Sequence, residues 1–478
     1  MRRRHRCTRV YACTSDFLDM KRFIGDKAFY KKVFAVALPI MLQNGISNFV
    51  SLLDNIMVGI LGTEQMSGVS IVNQLIFVFF LCLFGAVGGT GIFTAQYAGQ
   101  KNDEGIRHTF RFKLILGLII LGIFCAVFIF KDTELISLYL HEGSKDGNLE
   151  ATLFYGKQYM AVMIIGLIPC VVEQVYSSTM RECGETVIPM IASVIAVFVN
   201  LGFNYILIFG HFGAPALGVV GAAIATNISR FLQAGIVIVY THTHVRKCTY
   251  IAGMYKSIKV PMQLVRKMLL MATPLIFNET LWAAGIAAQT QIYSARGLAV
   301  VAGININSTI YNVFNIAFIA MGDAVAIIVG QLLGAGKFEE GKDSAYKIIA
   351  FSTVMCVGIG TALYLFAPIF PRIYNTSDEV RDIAAGIIKV SAIMMPVSGF
   401  LHSTYFTIRS GGKTFVTFLF DSVFLWVITV PVALFLIYKT GASIFVAFFI
   451  VEGTNILKAF IGWLIMRSGV WMQNVVNE

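Results

Sequence analysis

Charge is what this sequence has least of. Asp, Glu, Lys and Arg make up 13% of its 478 residues, where a soluble domain carries roughly 25%. Hydrophobic residues account for 57%. That leaves too little polar surface to cover a body of this size in water, and it makes the bilayer the natural solvent. Cysteine is unpatterned. Cys7 and Cys13 lie near the start, Cys82, Cys125, Cys170 and Cys356 lie inside apolar runs, and Cys183 and Cys248 lie in connections. There is no CxxC pair and no Cys/His spacing of the metal-binding kind, which excludes a disulfide framework and a zinc module. HExxH, GxSxG and clustered histidines are also missing, so an embedded enzyme has no recognisable nucleophile or metal. The formal charge of +11 comes from basic residues scattered among short connections. A nucleic-acid surface would need a basic stripe interleaved with aromatics.

Two stretches imitate a phosphate-binding loop and fail. RSGGKT ends like one, but Thr407 stands where the first glycine belongs. GKFEEGKD, from Gly336, has the spacing, but Asp343 replaces the magnesium-binding hydroxyl. Neither follows a strand, so no nucleotide cofactor is expected. Residues 1–32, with Arg2, Arg3, Arg4, Arg6 and Arg9, lack an apolar core before a cleavage site. They read as a cytoplasmic tail rather than a signal peptide.

What the sequence has is long apolar runs. A helix crossing the hydrocarbon needs about 20 mostly apolar residues. Twelve runs qualify: 33–60, 69–98, 114–138, 158–180, 187–209, 216–240, 267–293, 301–332, 345–370, 383–407, 414–438 and 442–466. They show no period-2 alternation, which rules against barrel strands, and backbone hydrogen bonding in lipid then forces helix. With edge residues assigned to the adjacent connection, 27 Lys and Arg fall on the side of the N-terminus and seven on the other. That bias predicts that both termini are cytoplasmic.

The chain is written twice. Pro39, Gly62, Gly68, Gln96 and Gly99 are matched by Pro274, Gly297, Gly303, Gln331 and Gly334, always 235 residues later. Further on the offset becomes 228: Arg181, Gly184 and Thr186 match Arg409, Gly412 and Thr414, and Thr226, Asn227 and Ile228 match Thr454, Asn455 and Ile456. Six spans per half give both halves the same orientation, so their pseudo-two-fold axis lies along the membrane normal. Such repeats suit a transporter whose lobes rock about a site between them. The expected fold is an all-α polytopic membrane protein of twelve transmembrane helices in two six-helix lobes. The N-terminal lobe covers 33–240, a basic cytoplasmic linker 241–266, the C-terminal lobe 267–466 and a C-terminal tail 467–478.

A charge at the bilayer centre costs about 2.5–3.5 kcal/mol on insertion scales, so intramembrane acids locate function. Asp54, fifteen residues after Pro39, either binds a coupling ion or snorkels to the outer surface. Glu279, five residues after Pro274 and near mid-span, is placed to exchange a proton or a cation. Glu173 has Arg181 eight residues on and is equally readable as a salt bridge. Asp323 and Asp421 lie near cytoplasmic span ends, where snorkelling is the simpler reading. Glu452 has Lys458 six residues on, as for a buried pair. Asn200 and Asn204 share a helix face at i and i+4, as ion ligands or as interhelical glue. His402 is alone on the tenth span, a hydrogen-bonded core group or a titratable one.

The run ALPIMLQNGISNFVSLLDNIMVGILGTEQMSG resembles the first-span region of multidrug and toxic compound extrusion (MATE) transporters. NLGFNYILIFGHFGAPALGVVGAAIATNISR resembles their fifth-to-sixth-span stretch, and the R-x-x-G-x-T connections of both halves are similar too. The resemblance covers all twelve spans. It implies a proton- or Na⁺-coupled antiporter with V-shaped lobes in the plasma membrane, monomeric, exporting organic cations or drugs, with no cofactor beyond the coupling ion. It assigns cation coupling to Asp54, Asn200, Asn204 and Thr226, and a second cation or substrate site to Glu279. A branch of the family adds an Asp on span ten. Here that span carries none, and His402, with Ser398 and Ser403 nearby, is its titratable group. The rival readings are a lipid-linked sugar flippase, disfavoured because almost no Arg or Lys lies deep in a span, a membrane-embedded enzyme, and a channel.

Overall fold

The computed structural model describes residues 23–140, 148–374 and 376–477. The arginine-rich opening, with Cys7 and Cys13, lies outside the described residues. Among the described residues, twelve long helices cross the molecule: α1 Lys27–Gly59, α2 Thr63–Gly99, α3 Asp103–Phe130, α4 Leu149–Glu182, α5 Val187–Phe209, α6 Gly218–Thr243, α7 Met262–Ser294, α8 Leu298–Gly334, α9 Phe338–Phe366, α10 Asp378–Ser410, α11 Thr414–Lys439 and α12 Ile444–Ser468. No strand occurs among the described residues.

Each predicted span lies on one of these helices, but most of the helices are longer. The apolar run marks only the part inside hydrocarbon, while the helix continues through the headgroups to a polar cap. Asn102 accepts from the Gly105 amide at 2.9 Å, Asn148 from Ala151 at 3.1 Å and Ser377 from Val380 at 3.4 Å. These side chains satisfy amides that the first helical turn leaves unpaired. Two spans are corrected in the other direction: 345–370 overruns α9, which ends at Phe366, and 114–138 is split. The run 114–138 breaks after Phe130, where Lys131 and Asp132 open a separate short helix, Asp132–Ser137.

Apolar side chains cover the outside. Phe198, Leu270 and Phe435 expose 65%, 65% and 61% of their surface, as lipid-facing residues should. Inside the N-terminal lobe, Phe79, Phe110, Met160, Leu167 and Val171 of α2, α3 and α4 form one buried cluster. The C-terminal lobe builds its own clusters from α7 to α12.

The repeat is visible in the backbone. Gly62 and Gly297, a repeat pair, precede α2 and α8 with φ of +142° and +109°, a region closed to side chains with a Cβ. The lobes are joined by exchanging helix ends. Val33, Ala37 and Ile40 of α1 pack with Ala320, Ala324 and Ile328 of α8. In return, Met268 and Leu275 of α7 pack with Ile92 and Phe93 of α2.

The crossing is tightest on the face that carries Phe23 and the C-terminal segment, called here the terminal face. A Cβ on Gly99 would stand 1.9 Å from the Gln331 carbonyl oxygen, and one on Gly334 would stand 2.0 Å from that of Gln96. The same two glutamines reach across the lobes. Gln96 donates to the Ser410 carbonyl at 3.2 Å, and Gln331 to the Glu182 carbonyl at 2.8 Å. Donors 235 apart thus meet acceptors 228 apart, so each bond is the image of the other. The segment after α12 covers the crossing. Trp471 is wholly buried, Val475 donates its amide to Gln96 Oε1 at 2.8 Å, and Asn474 donates to the carbonyls of Leu333 and Gly334 at 3.1 Å each.

Overpacking a close contact costs about 1–3 kcal/mol. Gly99→Ala and Gly334→Ala are therefore expected to lower the thermal unfolding midpoint in detergent by that equivalent. Gly122→Ala, whose new methyl meets nothing within 4 Å, should leave the midpoint unchanged or raise it. Equal shifts in all three variants would contradict the close crossing.

Candidate functional site

The sequence-predicted residues form two separate places. In the N-terminal lobe, α1, α5 and α6 bring Asp54, Asn200, Asn204 and Thr226 together. Asn204 and Asn200 lie one turn apart on α5, and both are buried. Asn204 donates to Asp54 Oδ1 at 2.6 Å and to Asn200 Oδ1 at 3.2 Å, and Asn200 donates to Thr226 Oγ1 at 3.3 Å. The Asn200 amide faces both carboxylate oxygens. Turned over, its nitrogen donates to Oδ1 at 2.9 Å and to Oδ2 at 3.0 Å. With its oxygen toward them instead, a proton or cation is needed between the three oxygens. The cluster is thus built to respond to the charge on Asp54.

In the C-terminal lobe, Glu279 and His402 line one cavity of about 1050 Å³. The cavity runs between the lobes from Tyr293 and Ile304 at one end to Arg181, Glu182 and Ser410 near the terminal face. Asp54 does not line it. The hydrogen-bond centre of its wall is Asn278, beside Glu279. Asn278 donates to Tyr405 and to Asp421 Oδ2 at 3.1 Å each, while Ser422 donates its hydroxyl to Asn278 Oδ1 at 2.8 Å. Tyr405 in turn donates to Glu279 Oε1 at 3.3 Å. Asp421 and Ser422 lie on a π-helical stretch of α11, Leu419–Val423, and such widened turns recur at functional sites.

Several expectations are corrected here. Lys458 pairs with Asp421 at 2.5 Å, not with Glu452, whose carboxylate accepts from Asn455 at 3.2 Å. Residues six apart on a helix sit about 120° apart around its axis, so Glu452 and Lys458 point different ways. Glu173 accepts from Ser177 at 2.5 Å and makes no bridge to Arg181 among the described residues. Eight residues span about 12 Å of helix, whereas i and i+4 meet. Asp323 and Asp421 do not snorkel; both line the cavity. Basic side chains also lie deep. Lys113, assigned by sequence to a connection, is buried in α3, where it pairs with Glu182 and donates to Thr179 at 3.2 Å. Arg409 is 4% exposed and stacks between Phe84 and Phe406. His402 lies against the rings of Phe318 and Phe406, at 5.0 and 5.9 Å.

The cavity's charge is lopsided. Glu182, Glu279, Asp323, Asp421 and Glu452 face Arg181, Arg409 and Lys458. Two of the acids are already paired, so Glu279, Asp323 and Glu452 form no ion pair among the described residues. Aromatic rings complete the wall, among them Phe77, Trp282, Tyr311 and Phe424. No group of three or more metal-ligating side chains occurs among the described residues.

A family model, MatE, matches this chain twice, over residues 39–206 and 274–435. The chain belongs to the MatE family. The two matches begin 235 residues apart, at Pro39 and Pro274, which is the repeat offset read above. MATE proteins are membrane transporters and not enzymes. Curated relatives include the probable multidrug resistance protein NorM of Thermotoga maritima, 25% identical over 457 residues, or 93% of this chain and 94% of the relative. NorM of Oceanobacillus iheyensis is 26% identical over 385 residues, covering 78% and 83%. Solved structures share the fold. A MOP superfamily transporter from Pyrococcus furiosus superposes with a TM-score of 0.82 at 19% identity, over 94% of this chain and 97% of its own. The Vibrio cholerae MATE transporter VcmN gives 0.83 at 18%, over 94% and 99%.

Within the MATE fold the two lobes use the same positions differently. Gln43 donates to Ser193 at 2.8 Å. The repeat offsets carry Gln43 to Asn278, Ser193 to Asp421 and Arg230 to Lys458. The N-terminal lobe thus has a neutral amide–hydroxyl bond where the C-terminal lobe has an amide–carboxylate bond, and that carboxylate also pairs with Lys458. Asn278, Tyr405 and Ser422 escaped the sequence reading. For Asn278 a signal was available, since it is a second polar residue beside Glu279 inside an apolar run.

Breaking a fully buried pair costs about 3–5 kcal/mol, and less where the partners are partly buried on a cavity wall, as here, whereas replacing both partners is often neutral. Asp421→Leu alone should therefore lower thermal stability, and adding Lys458→Met should restore most of it. Additive losses in that double-mutant cycle would show that the pair is not coupled.

Proposed function

We propose that this MATE transporter exports organic cations, drugs among them, in exchange for protons or Na⁺. The observation that carries the reading is the interlobe cavity: aromatic walls with five carboxylates against three basic side chains, and with Glu279, Asp323 and Glu452 in no ion pair among the described residues. Unpaired carboxylates attract a cation, and ring faces hold it without demanding one shape. The names of the NorM relatives, as multidrug resistance proteins, point the same way.

Asp54 is the coupling residue of this proposal. Its carboxylate is held by Asn204, with Asn200 and Thr226 completing the cluster. A proton or Na⁺ at Asp54 removes the charge that orients the Asn200 amide, so α1 repacks against α5. Since α1 also reaches into the C-terminal lobe through Val33, Ala37 and Ile40, that repacking transmits to the crossing. Glu279, with His402 across the same cavity, serves the substrate or a second cation. The transporter works as a monomer in the plasma membrane. The Lys and Arg count supports a cytoplasmic terminal face, so the cavity, sealed at that face, releases outward.

Dye efflux from proteoliposomes tests this reading. A cationic dye should move under an imposed proton or Na⁺ gradient, and Asp54→Asn should abolish the gradient-driven component. Glu279→Gln should weaken dye binding. Loss in Glu279→Gln alone would transfer coupling to the C-terminal lobe. No movement under either gradient, in protein shown to be folded, would remove organic cations as substrates and turn attention to anions, for which Arg181 and Arg409 are available.

A further inference from the structure

The terminal face carries another cavity, of about 850 Å³, that shares no lining residue with the interlobe cavity. One wall is the start of α3, from Glu104 to Arg111, and the other is the interlobe linker, from Ala252 to Pro261. Arg107, Arg111, Lys256 and Lys259 line it, with Glu104 as its one carboxylate. Arg111 is already engaged. It donates to the carbonyls of Met254 at 2.8 Å, Gly253 at 3.3 Å and Lys259 at 3.4 Å, and so pins the linker onto α3 and shapes the cleft. Glu104 lies 3.7 Å from His108. That leaves Arg107, Lys256 and Lys259, none of them in an ion pair among the described residues. Arg107 Nε is buried with no hydrogen-bond partner. Three like charges facing one cleft repel one another, and an anion between them reverses the sign of that interaction.

The rim of the cleft identifies the kind of anion. Ile258 and Met262 are each 77% exposed, and Tyr255 is 58% exposed. They flank the basic residues, Tyr255 and Ile258 in the linker and Met262 at the first residue of α7. In water they would form an unexplained apolar patch, whereas at a bilayer surface apolar and aromatic side chains enter the acyl boundary and basic ones meet the headgroups. We propose that this cleft binds the phosphate headgroup of an anionic membrane lipid, with Arg107, Lys256 and Lys259 on the phosphate and Ile258 and Met262 in the acyl boundary. A soluble phosphate ester shares the phosphate chemistry but has no use for the apolar rim. The site joins α3 to Pro261, the residue that caps α7. A bound lipid therefore ties the entry of an interlobe helix to the N-terminal lobe.

The test reads lipid retention and is independent of transport. Purified, delipidated transporter is reloaded with phosphatidylglycerol, cardiolipin or phosphatidylcholine, and bound lipid is counted by native mass spectrometry. Wild type should retain the anionic lipids over phosphatidylcholine. Arg107→Gln should weaken retention about tenfold, the loss expected for one charge-assisted hydrogen bond, and Lys256→Gln with Lys259→Gln about a hundredfold, for two. Their unfolding midpoints in lipid-free detergent should match wild type, which keeps the comparison one of folded proteins. Equal retention by wild type and variants, or equal retention of phosphatidylcholine, overturns the proposal. Displacement of the lipid by inorganic phosphate or glycerol 1-phosphate overturns the lipid assignment in favour of a soluble phosphate ligand.

Discussion

The reciprocal crossing of α2 and α8 is the constraint on which the rest of this structure depends. Two glycines let the backbones approach to a distance no side chain would allow, and two glutamines then bond across the lobes. In lipid the hydrophobic effect does not hold helices together, so close packing and interhelical hydrogen bonds must. Concentrating both at one end of the lobe interface fixes which end is shut. The cavity lies beyond the crossing because its floor, at Arg181, Glu182 and Ser410, is made of the residues that the glutamines bind or their neighbours.

Symmetry of fold does not entail symmetry of chemistry. The two halves place equivalent polar groups at Gln43 and Asn278, and at Ser193 and Asp421. Only the C-terminal half adds a charge pair there. The N-terminal half keeps the acid proposed for coupling, Asp54, away from the cavity. Separating the acid proposed for coupling from those facing the cavity lets one helix exchange, rather than direct competition for a shared carboxylate, connect ion and substrate.

Much of this was readable before the structure. Hydrophobic runs located twelve helices because bilayer thickness sets their length. The matched Pro, Gly and Gln positions gave the duplication. The Asn200–Asn204 pair was legible because the two fall one turn apart, whereas its grouping with Asp54 and Thr226 came from the family resemblance. Partners from other helices were not legible. Lys458 meets Asp421 from a neighbouring helix, which no spacing within α12 encodes. Gln96 and Gln331 stood out as repeat marks, but nothing local says that each bonds a carbonyl of the opposite lobe. Lys113 and Arg409 were misjudged because span ends were drawn where the hydropathy falls, whereas helices end where caps permit.

The segment from Trp471 to Asn477 follows all twelve helices in the chain, yet its amide and side-chain bonds land on Gln96, Leu333 and Gly334. Order of synthesis then has a consequence for assembly. Both lobes are inserted before the residues that cover their junction have been made. During biogenesis the two halves can find each other through helix contacts alone, and the closed face is completed as a late docking event. A partly synthesised transporter therefore lacks the finished seal of its terminal face.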